Sequence, residues 1–472
     1  MSVVLDVGVD LGTTMTKAAA FGPDGAVLAR ARTATTWAKP RPGWFERTVE
    51  ELLGSVDSLL AELAADAPAG AVFRSVGFTG MAESGSLVRD GRATSPLIAW
   101  HDPRGEAELA ELPAALRAAF PRLTGLPLSP LASVAKMLWL RDHGHGFAGA
   151  QWLGVSELVC LHLGADPAGE LSLTGRTGLI DVRTHSPLPE LLDLLGADAG
   201  LVPPLRPAGA ALGRVRADYP VAALRGAVLT VAGHDHLVAA AGAGAAAPGT
   251  VFDSFGTAEA FVAATAAVPT PEQVEHLVSL GMTVYPHVVD GTTCVLGGIK
   301  SGLLLGRTLR LLGREGTEER TGLDAAAVAT VAARTAGAAP GGIQVAGGRN
   351  DDHAMTITIV DDDPTPEALW CAALSSATDL AAAMLEGMRD GGIAVDRLVL
   401  AGGWSQMESV VQARRGLGVP LTLADVPQPG LVGAARMGAW AAEHDTDHPT
   451  SPPATWFVAA PMAPVGTPEK EY

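Results

Sequence analysis

Apolar residues run almost unbroken from Val3 to Val9, pause at Asp10-Leu11-Gly12-Thr13-Thr14, and resume from Met15 to Phe21. Apolar runs of this length on either side of a glycine turn read as strand, turn, strand. Gly22-Pro23-Asp24-Gly25 supplies a second tight turn and Val27 to Arg32 a third strand, which makes an antiparallel meander. The pattern then changes. Val72 to Phe78 reads as a strand, and Leu131, Val134 and Leu138 recur at helical spacing through Leu131 to Asp142. The opening pattern returns late in the chain, where Val251 and Phe252 lead into Asp253-Ser254-Phe255-Gly256-Thr257 and Ala258 to Thr265 follows with strand character. A helix around Pro366 to Arg389, a strand at Arg397 to Ala401 and a helix from Gln406 to Gly416 complete that half. Thr365-Pro366-Glu367 is a good helix start, because Thr caps, Pro suits the first helical position and Glu complements the dipole. The alternation predicts an α/β fold with a mixed sheet in each half, divided into residues 1–241 and 242–445 near the Ala/Gly-rich stretch Ala239 to Pro248. Residues 446–472 are rich in Pro, Thr, Asp and His and read as a loosely packed tail.

The two glycine hairpins carry the clearest chemistry. Glycine accepts φ > 0 and has no Cβ, so the backbone N–H groups of Gly12-Thr13 and Gly256-Thr257 can close on an anionic oxygen, with the threonine hydroxyls as further donors. Asp10 is suited to holding Mg²⁺ through water. A P-loop needs Gly-Lys-Ser/Thr running into a helix, and neither copy has it. A lone copy is explained as well by ordinary turn chemistry, whereas two copies heading two half-chains favour a phosphate clamp.

Composition narrows the partners. The 472 residues are 48 % hydrophobic and 18 % charged, enough for large cores. A net charge of −18 disfavours nucleic acid and anionic membranes. Cys160, Cys294 and Cys371 are too scattered for a disulfide framework or a zinc site and fit a reducing compartment, so a cytoplasmic protein is expected. The N-terminus lacks the features of a signal peptide, and the apolar stretch Leu237 to Ala247 is too short to span a bilayer.

Val9-Asp10-Leu11-Gly12-Thr13-Thr14, Trp100-His101-Asp102-Pro103-Arg104, Gly233-His234-Asp235, Gly256-Thr257 and Ala401-Gly402-Gly403 occur in an order and spacing that resemble the FGGY-family carbohydrate kinases of the actin-like ATPase superfamily. The resemblance implies two actin-like (ribonuclease H-like) domains with the active site in the cleft between them. It implies ATP and Mg²⁺ as cofactors and a small sugar or polyol as acceptor. Asp235 is then the catalytic carboxylate, and Glu83, Trp100, Asp102 and His236 are the substrate contacts. Asp10, Gly12, Thr13, Thr14, Lys17, Gly256, Thr257, Gly402, Gly403 and Trp404 hold the nucleotide, Asp10 also serving the metal.

Phosphoryl transfer needs an acceptor in line, a metal on the phosphates and a carboxylate to orient the hydroxyl, which gives each motif a role. Read from its residues alone, Gly233-His234-Asp235-His236 is also a strand-end turn, or a metal site by its flanking histidines. In Thr79-Gly80-Met81-Ala82-Glu83, Glu83 falls where glycerol kinases carry an acidic substrate contact; Ala82 replaces the neighbouring arginine, and the xylulose kinase pattern Gln-Met-His is missing. Two readings compete with a kinase: an actin-like ATPase serving as chaperone or reactivating factor, and a catalytically silent sugar-binding regulator. The oligomeric state, a homodimer included, stays open.

Overall fold

The computed structural model describes residues 3–335, 342–350, 352, 354–360 and 364–458. Two six-stranded mixed sheets organise the chain. In the first, the spatial order is Gly213–Arg214, Val228–His234, Val72–Gly80, Val4–Leu11, Met15–Phe21, Val27–Ala34. Val4–Leu11 pairs antiparallel with Met15–Phe21 and parallel with Val72–Gly80. The second sheet repeats this arrangement, with Thr250–Phe255 antiparallel to Glu259–Thr265 on one side and parallel to Arg397–Ala401 on the other. The meander and the repeated hairpin therefore form as their apolar runs predict.

Helix signals work where a capping residue is present. Thr365 accepts the Ala368 N–H at 3.1 Å and starts the helix Pro366–Asp390. Length and hydropathy put this helix, rather than Leu237 to Ala247, nearest to a membrane span, yet half of its apolar stretch is buried in the protein. It packs against the helices Ser301–Leu311, Thr317–Thr335 and Glu408–Arg415.

One helix of the second half packs extensively on the first. Pro429–Glu443 lies on the first sheet, across Val4–Leu11, Val72–Gly80 and Val228–His234, and against the helix Asp235–Gly242. Gly8 and Gly77 are register partners. A Cβ at either would stand 2.0 Å from a helix carbonyl, of Leu431 and of Ala434 respectively, so this close packing requires glycine at both. Part of the tail up to Val458 is packed onto the protein while residues 446–448 are exposed. Phe457 is buried, Trp440 Nε1 donates to the Thr450 carbonyl at 2.9 Å, and Trp456 Nε1 donates to that of Arg436 at 3.2 Å. Two apolar rings outweigh the proline-rich composition; residues 459–472 lie outside the described part.

Candidate functional site

Asp10 ends the first hairpin strand, and Asp235 opens the Asp235–Gly242 helix directly after the strand Val228–His234. Parallel pairing through Val72–Gly80 sets both strand ends at the same edge, since Asp10 is opposite Thr79 and Gly233 is opposite Thr79 from the other side. Gly233 has φ 111°, and a Cβ there would meet Val288 Cγ1 at 2.5 Å and Ser172 Oγ at 2.7 Å. Glycine is needed for this turn to present Asp235. Ser172 Oγ also accepts the His234 N–H at 3.1 Å and donates to Glu170 Oε2 at 2.6 Å, which fixes the strand end from below.

The two carboxylates are electrostatically linked. Burial, followed by the charge of Asp235, pushes Asp10 up to about 7. Asp235 is likewise pushed up to about 7, chiefly by burial and then by Glu83, against the stabilising His236 N–H, although its side chain keeps 31 % exposure toward the cleft. The Asp10 Oδ1 atom is buried without a hydrogen-bond partner among the described residues. A Cβ at Gly430, in the first turn of Pro429–Glu443, would lie 3.7 Å from Asp10 Oδ2, so Asp10 also meets the positive end of that helix. An unpaired buried carboxylate oxygen at this edge fits a hard divalent cation such as Mg²⁺. Lys17 Nζ donates to Gln428 Oε1 at 3.1 Å and lowers the Asp10 pKa from nearby.

The structure brings the acceptor candidates to the same edge. Trp100 Nε1 donates to Thr13 Oγ1 at 2.9 Å, joining the tryptophan directly to the first hairpin, and Trp37 Nε1 donates to the Thr13 carbonyl at 2.9 Å. Glu83 takes φ 61°, a strained value for a side-chain-bearing residue, and Ser133 Oγ holds its carbonyl at 3.0 Å. His236 is kept largely neutral by burial and by Arg176, and stands edge-on to His234 at 5.4 Å.

Asp102 departs from expectation. Its side chain is fully buried; Oδ1 accepts Arg104 Nε at 2.9 Å and the Arg104 N–H at 2.9 Å, while Oδ2 accepts Arg104 Nη2 at 2.8 Å and the Phe45 N–H at 2.6 Å. Arg104 itself lies between the rings of Trp44 and Trp139, 4.5 and 4.9 Å from their centroids. Asp102 therefore holds the Trp100 segment in place and offers no oxygen to a ligand. The glycines of the hairpins are also spent differently than expected. Gly12 N donates to Met15 O at 3.2 Å and Gly256 N to Ala258 O at 3.0 Å, so both amides close their turns and are not spare donors for an anion.

The remaining candidates form a second cluster. Gly402, with φ 97°, approaches the second hairpin so closely that a Cβ would stand 2.4 Å from Phe255 O. Gly403–Gln406 is a short 3-10 turn before the helix Glu408–Arg415, where the sequence suggested a single helix start. Trp404 leans on Phe255 and Trp370 at 6.3 and 6.1 Å. Thr257 is exposed beside them.

Residues 5–242 match the FGGY family of carbohydrate kinases, N-terminal domain. The chain belongs to the FGGY family of carbohydrate kinases. It is 31 % identical over 222 residues to a glycerol kinase of Polaromonas naphthalenivorans, spanning 44 % of this chain and 45 % of that one. It is 28 % identical over 324 residues to a glycerol kinase of Rhodospirillum centenum, 64 % of each chain. The matches thus span about half to two thirds of these relatives' length. The likeness in fold reaches nearly the full length: the crystal structure of a xylulose kinase from Rhodospirillum rubrum superposes with a TM-score of 0.81 at 25 % identity, covering 96 % of this chain and 91 % of that one.

Three residues of this FGGY site escaped the motifs. Arg176 Nε donates to Glu83 Oε1 at 2.6 Å across 93 positions of sequence, too far for any spacing to reveal. Tyr285, from the second sheet, bonds His234 Nδ1 at 2.8 Å, and His234 Nε2 lies 3.3 Å from Asp235 Oδ1. Lys136 is fully buried; its Nζ donates to Trp100 O at 3.0 Å, and burial draws its pKa down to about 8. A single lysine among Val134, Ala135, Met137 and Leu138 was a readable signal.

Proposed function

We propose that this protein transfers the γ-phosphoryl group of ATP to a hydroxyl of a small sugar or polyol. The observation that carries the reading is the placing of Asp10 and Asp235 at one sheet edge, each held near 7 by burial, with the charge of Asp235 acting on Asp10. Two carboxylates in such a place have separate work. Asp10, with its unpaired Oδ1 and the helix end behind it, would hold Mg²⁺, which neutralises phosphate charge when bound. Asp235 accepts the acceptor's O–H, turns the hydroxyl's lone pair toward the γ-phosphorus and takes the proton as the new P–O bond forms and the bond from phosphorus to the ADP oxygen breaks, releasing ADP.

The network behind Asp235 supports this role. With His234 neutral and its Nε2 placed to donate to the Asp235 carboxylate, Nδ1 accepts from Tyr285 O–H, and the ring restrains the carboxylate without supplying a charge. Trp100 provides a flat apolar wall for the carbon skeleton, tied to the hairpin that meets the phosphates. Gly256, Thr257, Gly402, Gly403 and Trp404 form the nucleotide end. The Tyr285–His234 contact crosses between the halves, so closing them sets the base and shuts out water together.

Measuring ADP release from Mg-ATP across tetroses, pentoses, hexoses and their polyols tests the proposal. Release that depends on one of these acceptors supports it. Hydrolysis independent of every acceptor and stimulated by a protein partner would replace it with the chaperone-type reading.

A further inference from the structure

Arg176 is nine-tenths buried, and its Nη1 group has no hydrogen-bond partner among the described residues. The other edge of the guanidinium is fully engaged, with Nε and Nη2 both on Glu83 Oε1. Glu83 Oε2 makes no hydrogen bond among the described residues. The guanidinium plane lies over the Tyr285 ring, 4.9 Å from its centroid, and its charge acts on both Asp235 and His236. A donor and an acceptor without partners among the described residues therefore belong to one rigid ion pair, whose arginine charge acts on the proposed base. Leaving a buried guanidinium N–H₂ unpaired costs stability, so its retention at a cleft points to a ligand group.

We propose that Arg176 reads a hydroxyl of the acceptor through Nη1 and, by standing as a neutral ion pair with Glu83, fits the pocket to uncharged sugars or polyols against their acids. The proposal rests on the acceptor reading given above. A hydroxyl is both donor and acceptor, so separate hydroxyls of one polyol satisfy Nη1 and Glu83 Oε2. A carboxylate ligand has no proton for Glu83 and would bring a further negative charge beside Glu83, Asp235 and Asp10. Arg176 cannot offset that charge, because Glu83 already neutralises it. The strained backbone at Glu83, fixed by Ser133, keeps the pair in one orientation.

The test uses the full chain, with Arg176→Lys as the variant, because lysine keeps a cation for Glu83 while losing the planar second edge. Calorimetric titration with glycerol, xylitol, D-xylulose and D-gluconate, and separately with Mg-ATP, gives binding for each protein. ADP release is read alongside. The expected result is that wild type binds at least one neutral compound ten times or more tighter than gluconate, and that Arg176→Lys weakens it by about ten- to a hundredfold with ATP affinity unchanged within about twofold. Equal binding by variant and wild type, preference for gluconate, or no binding of any neutral compound by wild type overturns the proposal. Arg176-dependent binding of a neutral compound without ADP formation upholds it while removing the kinase reading.

Discussion

Replacing Asp102 by asparagine separates a residue that holds the site from one that touches substrate. Asp102 receives four hydrogen bonds: two from the Arg104 side chain and one each from the Arg104 and Phe45 amides. Asparagine keeps the shape but presents an N–H₂ where two of those donors point, and it removes the charge opposite a guanidinium that is 1 % exposed. Breaking a buried pair by changing one partner costs about 3–5 kcal/mol. Arg104 keeps Glu46 at 2.5 Å and its two tryptophan faces, which puts the local loss near the lower end, about 3 kcal/mol. That corresponds to about a hundredfold faster opening of the segment. Amide hydrogen exchange of peptides containing Phe45 and Arg104 reads it directly and does not require the whole chain to unfold in one step. Burial works to raise the Asp102 pKa, but the bonds from Arg104 and the two amides outweigh it and hold the group below its usual range. Its contribution is thus complete above the unfolded value of about 4 and is lost as pH falls through the folded one. Protection in wild type should fall on that acid limb, and the asparagine variant should lack the limb. Unchanged protection in Asp102→Asn, together with a tenfold or larger rise in acceptor KM, would refute the reasoning and return Asp102 to the substrate.

Three further outcomes follow from the geometry. Gly402→Ala forces a Cβ to 2.4 Å from Phe255 O at φ 97°, so ATP affinity measured by calorimetry should drop about tenfold or more while neutral acceptor binding holds. Asp10→Asn should raise the Mg²⁺ concentration needed for half-maximal rate by an order of magnitude or more, read from a magnesium titration at saturating ATP; an unchanged requirement would take the metal away from Asp10. Because burial holds Asp235 near 7, kcat/KM should climb with pH on a limb centred near 7 and level off above it, and a flat profile between about pH 5.5 and 8 would contradict a titrating base.

The apolar periodicities made the sheets legible. Val4–Leu11, Met15–Phe21 and Arg397–Ala401 lie where their runs of buried residues predict, since each strand is covered on both faces and needs little from distant sequence. Asp10, Asp235, Glu83 and Trp100, which we propose as site residues, stand out in local motifs because each sits at a strand end or turn. The contacts that complete the site could not. Arg176 reaches Glu83, Tyr285 reaches His234 and Gly430 reaches Asp10 only through the folded topology, and no spacing encodes them. Asp102 is the opposite case: a conspicuous motif residue whose two oxygens are occupied in holding its neighbours, which only its hydrogen bonds reveal.

The central claim is that Asp235 takes the acceptor's proton, and Asp235→Asn tests it most directly. The wild-type carboxyl is held near 7 by burial, above its ordinary value, so its charge lowers the stability of the folded state as pH rises through that range. The asparagine variant should therefore fold at least as stably as wild type at about pH 8 and still bind Mg-ATP. Acceptor-dependent ADP release by that variant, on whichever sugar or polyol the wild type uses, is predicted to fall by about a thousandfold. Turnover within a few-fold of wild type would contradict the account.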